Sequence, residues 1–145
     1  MQHATYEDAS LIMRLYEIRR EEKLRKARDW FLREFKAASI QEIERKYPSG
    51  SEENAYYRMV LSYWEMAASF VVREIVHEEL FFDSCGELLA VWEKIRPLIE
   101  EIRGTYKSPL VYRNLEKAAA KHIAWLQANA PGAYEAWQTR MKTRS

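Results

Sequence analysis

Ser51-Glu52-Glu53-Asn54-Ala55-Tyr56-Tyr57-Arg58-Met59-Val60-Leu61-Ser62-Tyr63-Trp64-Glu65-Met66-Ala67-Ala68-Ser69-Phe70-Val71-Val72 is the stretch whose reading decides the fold. Ser51 is a helix cap, and Glu52 and Glu53 fill a first turn where the helix dipole favours negative charge. Tyr57, Val60, Leu61, Trp64, Ala67, Ala68, Val71, Val72 and Ile75 then recur at helical spacing over a wide arc. A helix apolar on so many sides is predicted to be the most buried element, and it needs neighbours on several flanks.

The flanking sequence supplies helices for that purpose. Upstream, Thr5 caps a long first helix predicted to run to about Ala38. Leu11, Leu15 and Ile18 form one stripe on it, and Leu24, Ala27, Phe31 and Phe35 form another in a different phase. Arg19 to Lys26 lies between them with Leu24 as its one apolar residue, either a solvated join or part of an arm reaching past the core. Ser39-Ile40-Gln41-Glu42 reads as a capping box for a short helix ending before Pro48.

Downstream, His77 to Phe82 is predicted to be a short connector, and Ser84-Cys85-Gly86-Glu87 a capping box for another helix. Leu88, Leu89, Val91, Trp92, Ile95, Ile99 and Ile102 turn inward from that helix; Pro97 should kink it and Gly104 should stop it. Ser108-Pro109 opens a helix to about Ala128, and Ala133 to Met141 forms a terminal one. Trp30, Trp64, Trp92 and Trp125, one per long helix, are expected to meet in a shared core.

The expected fold is therefore all-α: a single-domain helical bundle of four to five main helices over residues 1–145, with a long N-terminal helix and a kink at Pro97. Residues 1–20 would be a helix arm and 129–145 a short C-terminal helix or tail. Composition agrees. With 48% hydrophobic and 31% charged residues the chain is neither disordered nor fibrous, and four glycines and four prolines are too few for many short strands. One cysteine makes no internal disulfide, which points to a reducing, cytoplasmic setting. The longest nearly apolar run, Met59 to Val72, is 14 residues and contains Glu65, short of the ~18 that a membrane-spanning helix needs.

Charge is balanced in total, 23 basic against 22 acidic residues, but not in distribution. Arg14 to Lys36 holds nine basic and five acidic residues, Ile40 to Thr105 seven and thirteen, and Tyr106 to Ser145 seven and two. Arg19, Arg20, Arg25, Lys26 and Arg28 are interleaved with Glu17, Glu21, Glu22 and Asp29 at helical spacing. That pattern describes a self-neutralised solvated helix and disfavours nucleic-acid binding; contact with a membrane surface stays open.

Chemistry-bearing patterns are sparse. Glu74-x-x-His77 would set a carboxylate and an imidazole side by side on a helix, half of a di-iron motif whose other half is missing, so no metal or cofactor is expected. Cys85, in the predicted first turn of a helix, would have its thiolate favoured by the dipole. Glu65 on the most buried helix demands a partner, with Arg58, Arg96 and Arg113 as candidates. A structural ion pair is the expected outcome; a polar ligand cluster of Glu65, Tyr63, Trp92 and Arg113 is the alternative.

The segments Tyr57-Arg58-Met59-Val60-Leu61-Ser62-Tyr63-Trp64-Glu65-Met66-Ala67, Leu80-Phe81-Phe82-Asp83 with Gly86-Glu87, and Val91-Trp92-Glu93-Lys94-Ile95-Arg96-Pro97 resemble an uncharacterised family of small bacterial all-helical proteins, over roughly residues 20–118. The resemblance implies a helical fold and brings no activity or catalytic residue with it.

The expected function is a non-enzymatic interaction or scaffolding module. Its partner would be a second copy or another protein, met through the first helix with its apolar patch at Leu11, Leu15 and Ile18, or through the C-terminal tail. The alternatives are a small-molecule binder or enzyme built around Glu65, and attachment to RNA or a membrane surface by the basic helix.

Overall fold

The computed structural model describes residues 3–144, and among them every regular element is helical. The order is α1 (Tyr6–Arg19), α2 (Glu22–Arg33), α3 (Ile40–Lys46), α4 (Glu52–Val72), α5 (Glu78–Ser84), α6 (Glu87–Ile95), a 3-10 turn (Arg96–Leu98), α7 (Ile99–Tyr106), α8 (Arg113–Asn129) and α9 (Ala133–Arg144). Ser51 caps α4 by accepting from the Asn54 amide, and the helix then runs unbroken for 21 residues. Val60, Leu61, Trp64, Ala67 and Ala68 on it are fully shielded from solvent. α2 and α8 pack along α4 most extensively, and α6 closes over both α4 and α8.

The chain is cut into more and shorter helices than the four to five main ones expected, and each cut has a local cause. The long first helix is two. Arg20 closes α1, Glu21 turns extended, and its carboxylate caps α2 by accepting from the Leu24 amide at 3.1 Å. This break rephases the two apolar stripes so that both reach the core, which one straight helix could not do. α1 therefore lies on α2 and α5 and does not reach out as an arm.

His77–Phe82 is no connector, since most of it belongs to α5. The capping box at Ser84–Glu87 does not form: Ser84 ends α5, and Gly86 leads into α6 with no side-chain cap. At Pro97 the helix is interrupted by the 3-10 turn, as the missing amide hydrogen requires. Gly104 does not stop α7, which runs on to Tyr106 and ends where Lys107 turns left-handed at φ 52°. Ser108-Pro109 opens a turn and not a helix, with the Ser108 hydroxyl accepting from the Leu110 amide. α8 begins only at Arg113, after Tyr112 has turned left-handed at φ 55°.

The tryptophans share one interior without touching one another's rings. Trp30 sits among Phe31, Phe35, Tyr47 and Tyr56 at the α2–α3–α4 end, where Phe31 and Phe35 stack at 4.8 Å. Trp64 packs edge-on to Tyr63, and Trp125 joins Phe82 and His122 at the α5–α8 seam. Trp92 is buried on α6.

Candidate functional site

The densest polar cluster is at the junction of α1, α2, α4, α5 and α6. Arg28 on α2 grips Glu87 on α6 with both ends of its fork, Nε to Oε2 at 2.7 Å and Nη2 to Oε1 at 2.9 Å. Its remaining Nη1 donates to the Arg19 carbonyl at 2.8 Å, satisfying an orphan acceptor at the C-terminus of α1. The Trp64 indole donates to the same Glu87 Oε2 at 3.1 Å. One carboxylate thus ties three helices together. The pairing with Glu87 holds the Arg28 proton even more firmly than usual.

Arg19 is the unusual member. Ile12, Leu15 and Arg19 form the buried stripe of α1, and the guanidinium is 7% exposed. Among the described residues no carboxylate lies within 4 Å of it. Nη1 meets Cys85 Sγ at 3.7 Å, Nη2 meets the Ser84 carbonyl at 3.5 Å, and the rings of Tyr16 and Trp64 each lie 5.4 Å from its central carbon. The cation is held by aromatic faces and soft acceptors in place of an anion. The Tyr63 hydroxyl beside it donates to the Leu15 carbonyl at 2.6 Å.

The protonation chemistry here is quiet. Burial pushes the Cys85 thiol up, against the pull of Arg19, and Cys85 follows the last turn of α5 and does not open α6, so the dipole effect expected of a first-turn position is not what sets its proton affinity. Burial likewise pushes Tyr63 up to about 12. A nucleophile needs its deprotonated form or an adjacent base near neutral pH. This cluster offers a protonated thiol, a protonated phenol and a carboxylate already committed to Arg28, an arrangement suited to bracing helices.

The residues singled out from sequence do not converge. Tyr63 faces α1, whereas Glu65, two positions along α4, faces α8. Glu65 Oε1 accepts from the Leu115 amide at 2.8 Å, and Oε2 accepts from the Asn114 side-chain amide at 2.8 Å and its backbone amide at 3.4 Å. Its partners are the opening amides of α8, not an arginine: Glu65 is a helix cap supplied from another helix. Trp92 is buried on α6 and Arg113 is half-buried where α8 begins. Of Leu11, Leu15 and Ile18, Leu15 is 2% exposed and belongs to the core, Leu11 is half-buried, and Ile18 faces solvent. They do not form one exposed patch.

Glu74 and His77 share no helix either. Glu74 is left-handed at φ 59° beyond the end of α4, while His77 caps α5, its Nδ1 accepting from the Leu80 amide at 3.2 Å. They line an open cavity of about 450 Å³ with His3, Thr5, Asp8 and Ile75. The Asp8 carboxylate there already accepts from the Thr5 and His77 amides, and these bonds hold it below the usual carboxylate range. Among the described residues no group of three or more His, Cys, Asp or Glu side chains is placed to hold a metal ion.

Three features escaped the sequence reading. Arg19 sits one turn beyond Leu15, so periodicity could have placed it on the buried stripe; nothing local marks Arg28 and Glu87, 59 residues apart, as a pair. His122 is 4% exposed, stacks on Phe82 at 4.6 Å, and has an Nδ1 with no hydrogen-bond partner. Burial lowers its proton affinity. Protonation would create a buried unsatisfied donor costing ~1–3 kcal/mol. The Phe82 face offsets part of that by attracting the cation, worth ~2 kcal/mol for a desolvated pair.

The molecule is thus an all-helical domain whose buried polar groups brace the helices, and no described helix is long and apolar enough to cross a membrane. The chain belongs to the family described as a domain of unknown function, DUF4760, which matches residues 4–122 and so takes in α1 to most of α8. No curated protein and no solved structure matches it.

Proposed function

We propose that the domain is a non-enzymatic interaction module that pairs weakly with a second copy of itself through the outer face of α1. The observation that carries this reading is the exposure of Tyr6 (88%) and Met13 (58%) on a helix whose opposite face is built into the core. Tyr6, Ser10, Met13, Glu17 and Arg20 follow alternating four- and three-residue steps along that outer face, and all are exposed. This is the spacing with which one helix lies along another.

Charge sets the direction of pairing. The first turn of α1 is acidic, with Glu7 and Asp8, while in its second half the exposed Arg14, and Arg20 at its cap, outnumber the exposed Glu17. Antiparallel pairing lays the acidic start of one copy beside the basic end of the other, whereas parallel pairing opposes like charges. A 14-residue helix is ~21 Å long, so the contact is small and the dimer weak, micromolar or weaker. A lone buried cysteine fits a reducing compartment, and we place the module in the cytoplasm.

Sedimentation over a concentration series tests the reading. The wild type should move from monomer to dimer at high concentration. Met13→Asp should remain monomeric with an unchanged melting temperature, and Arg20→Glu should weaken the dimer. A wild type that stays monomeric at millimolar concentration, or a Met13→Asp variant that dimerises as well as the parent, overturns it.

A further inference from the structure

We infer that His122 is an acid-release latch between α5 and α8: placing a proton on its buried ring opens the seam that Phe82 and Trp125 hold shut. The ring lies parallel to Phe82 of α5, 4° between planes, with the Trp125 ring 6.0 Å away on α8 itself. The seam is packed for a neutral imidazole. Its Nδ1 is enclosed with nothing to bond, so a proton there has no acceptor unless the ring swings out to water.

The ionised groups on the elements around α8 are turned elsewhere. Glu78 of α5 pairs with Lys121 at 3.3 Å, Glu65 of α4 holds the opening amides of α8, and Glu116 of α8 pairs with Arg103. On α6, Glu87 is held by Arg28 and Trp64, and Glu93 accepts from Tyr134 of α9 and pairs with Arg96. Glu52, Glu53 and Arg58 of α4, Glu79 and Asp83 of α5 with His77 at its cap, Lys94 of α6, Arg113 and Lys117 of α8, and Glu135, Arg140 and Lys142 of α9 are further charged or titratable residues of these neighbours. None of them shifts the proton affinity of the ring, which burial alone lowers. The Glu78–Lys121 bridge spans the same seam.

The sign follows from linkage. An opened ring titrates near the ordinary histidine value of ~6.5 and the closed ring below it. The opened state therefore binds more protons in between, and opening grows toward about ten-fold per pH unit as pH falls below ~6.5. Hydrogen exchange of the full chain from pH 7.5 to 5, compared at each pH with His122→Phe, reads this directly, because intrinsic exchange chemistry and the other histidines cancel in the ratio. The ratio of wild-type to variant exchange in α5 and the second half of α8 should rise steadily from pH 7 to pH 5, with about ten-fold per pH unit as its upper limit. A flat ratio overturns the latch. Should His122→Phe fail to fold, an NMR titration of the wild-type ring decides. A midpoint below the ordinary value, accompanied by shifts in the Phe82 and Trp125 resonances, supports the latch; a midpoint at or above it overturns the latch.

Discussion

Replacing Glu87 with alanine removes the acceptor that α2, α4 and α6 share. The side chains of Arg28 and Glu87 are 21% and 19% exposed, so the pair is mostly desolvated without being sealed from water. Breaking a fully buried pair costs ~3–5 kcal/mol because the surviving charge is stranded. Here Arg28 keeps its bond to the Arg19 carbonyl and some contact with water, which brings that cost down to about 2 kcal/mol. The Trp64 indole, on a residue with no exposed surface, loses its acceptor and adds ~1 kcal/mol.

The total is about 3 kcal/mol, or a fall in melting temperature on the order of 10 °C for a chain of this size. Glu87→Gln keeps an acceptor for Trp64 and one bond to Arg28, so its cost should be about half as large. Urea unfolding followed by circular dichroism measures both, and Arg28→Ala completes a double-mutant cycle. A Glu87→Ala cost below ~0.5 kcal/mol, the range of an exposed ion pair, would show that the three-helix tie is superficial and refute the reasoning.

Other outcomes follow from the same geometry. Glu65→Ala should destabilise the fold by ~1–2 kcal/mol, as loss of a helix cap does, and exchange should quicken first at Asn114 and Leu115; uniform quickening along α8 would contradict the cap. Asp8 is held below its ordinary value by the Thr5 and His77 amides, so its contribution to stability is present above about pH 3.8 and lost as pH falls through the lower folded value. Asp8→Asn should flatten that acid limb of a pH–stability curve, and an unaltered limb counts against it. Cys85, 1% exposed and with its thiol pushed up by burial, should resist a disulfide-exchange reagent at pH 7.5 until the chain unfolds; rapid labelling of the native protein would contradict that burial.

α4 was fully legible because every signal in it is local: a serine cap, acidic residues in the first turn and a broad apolar arc. The capping box of α1, Thr5 with Asp8, was legible for the same reason. What failed to read was long-range. Ser84–Glu87 has the residues of a capping box, but Arg28 and Trp64 claim the glutamate, and a bidentate arginine outweighs a local cap. Ser108-Pro109 has the letters of a helix start, yet α8 waits four residues longer, where Glu65 can reach its amides. The buried position of Glu65 was right and its partner wrong, because backbone amides carry no sequence signature. The patch at Leu11, Leu15 and Ile18 dissolved once the chain broke at Glu21 and turned Leu15 inward.

The glutamate that begins α8 is spelled out 49 residues upstream of the first amide it receives. A peptide cut from Arg113 to Asn129 therefore carries a helix without its own starting mark, and alone in water it should fray from that end. During synthesis the acceptor leaves the ribosome well before its donors, so the start of α8 is fixed by a residue already made.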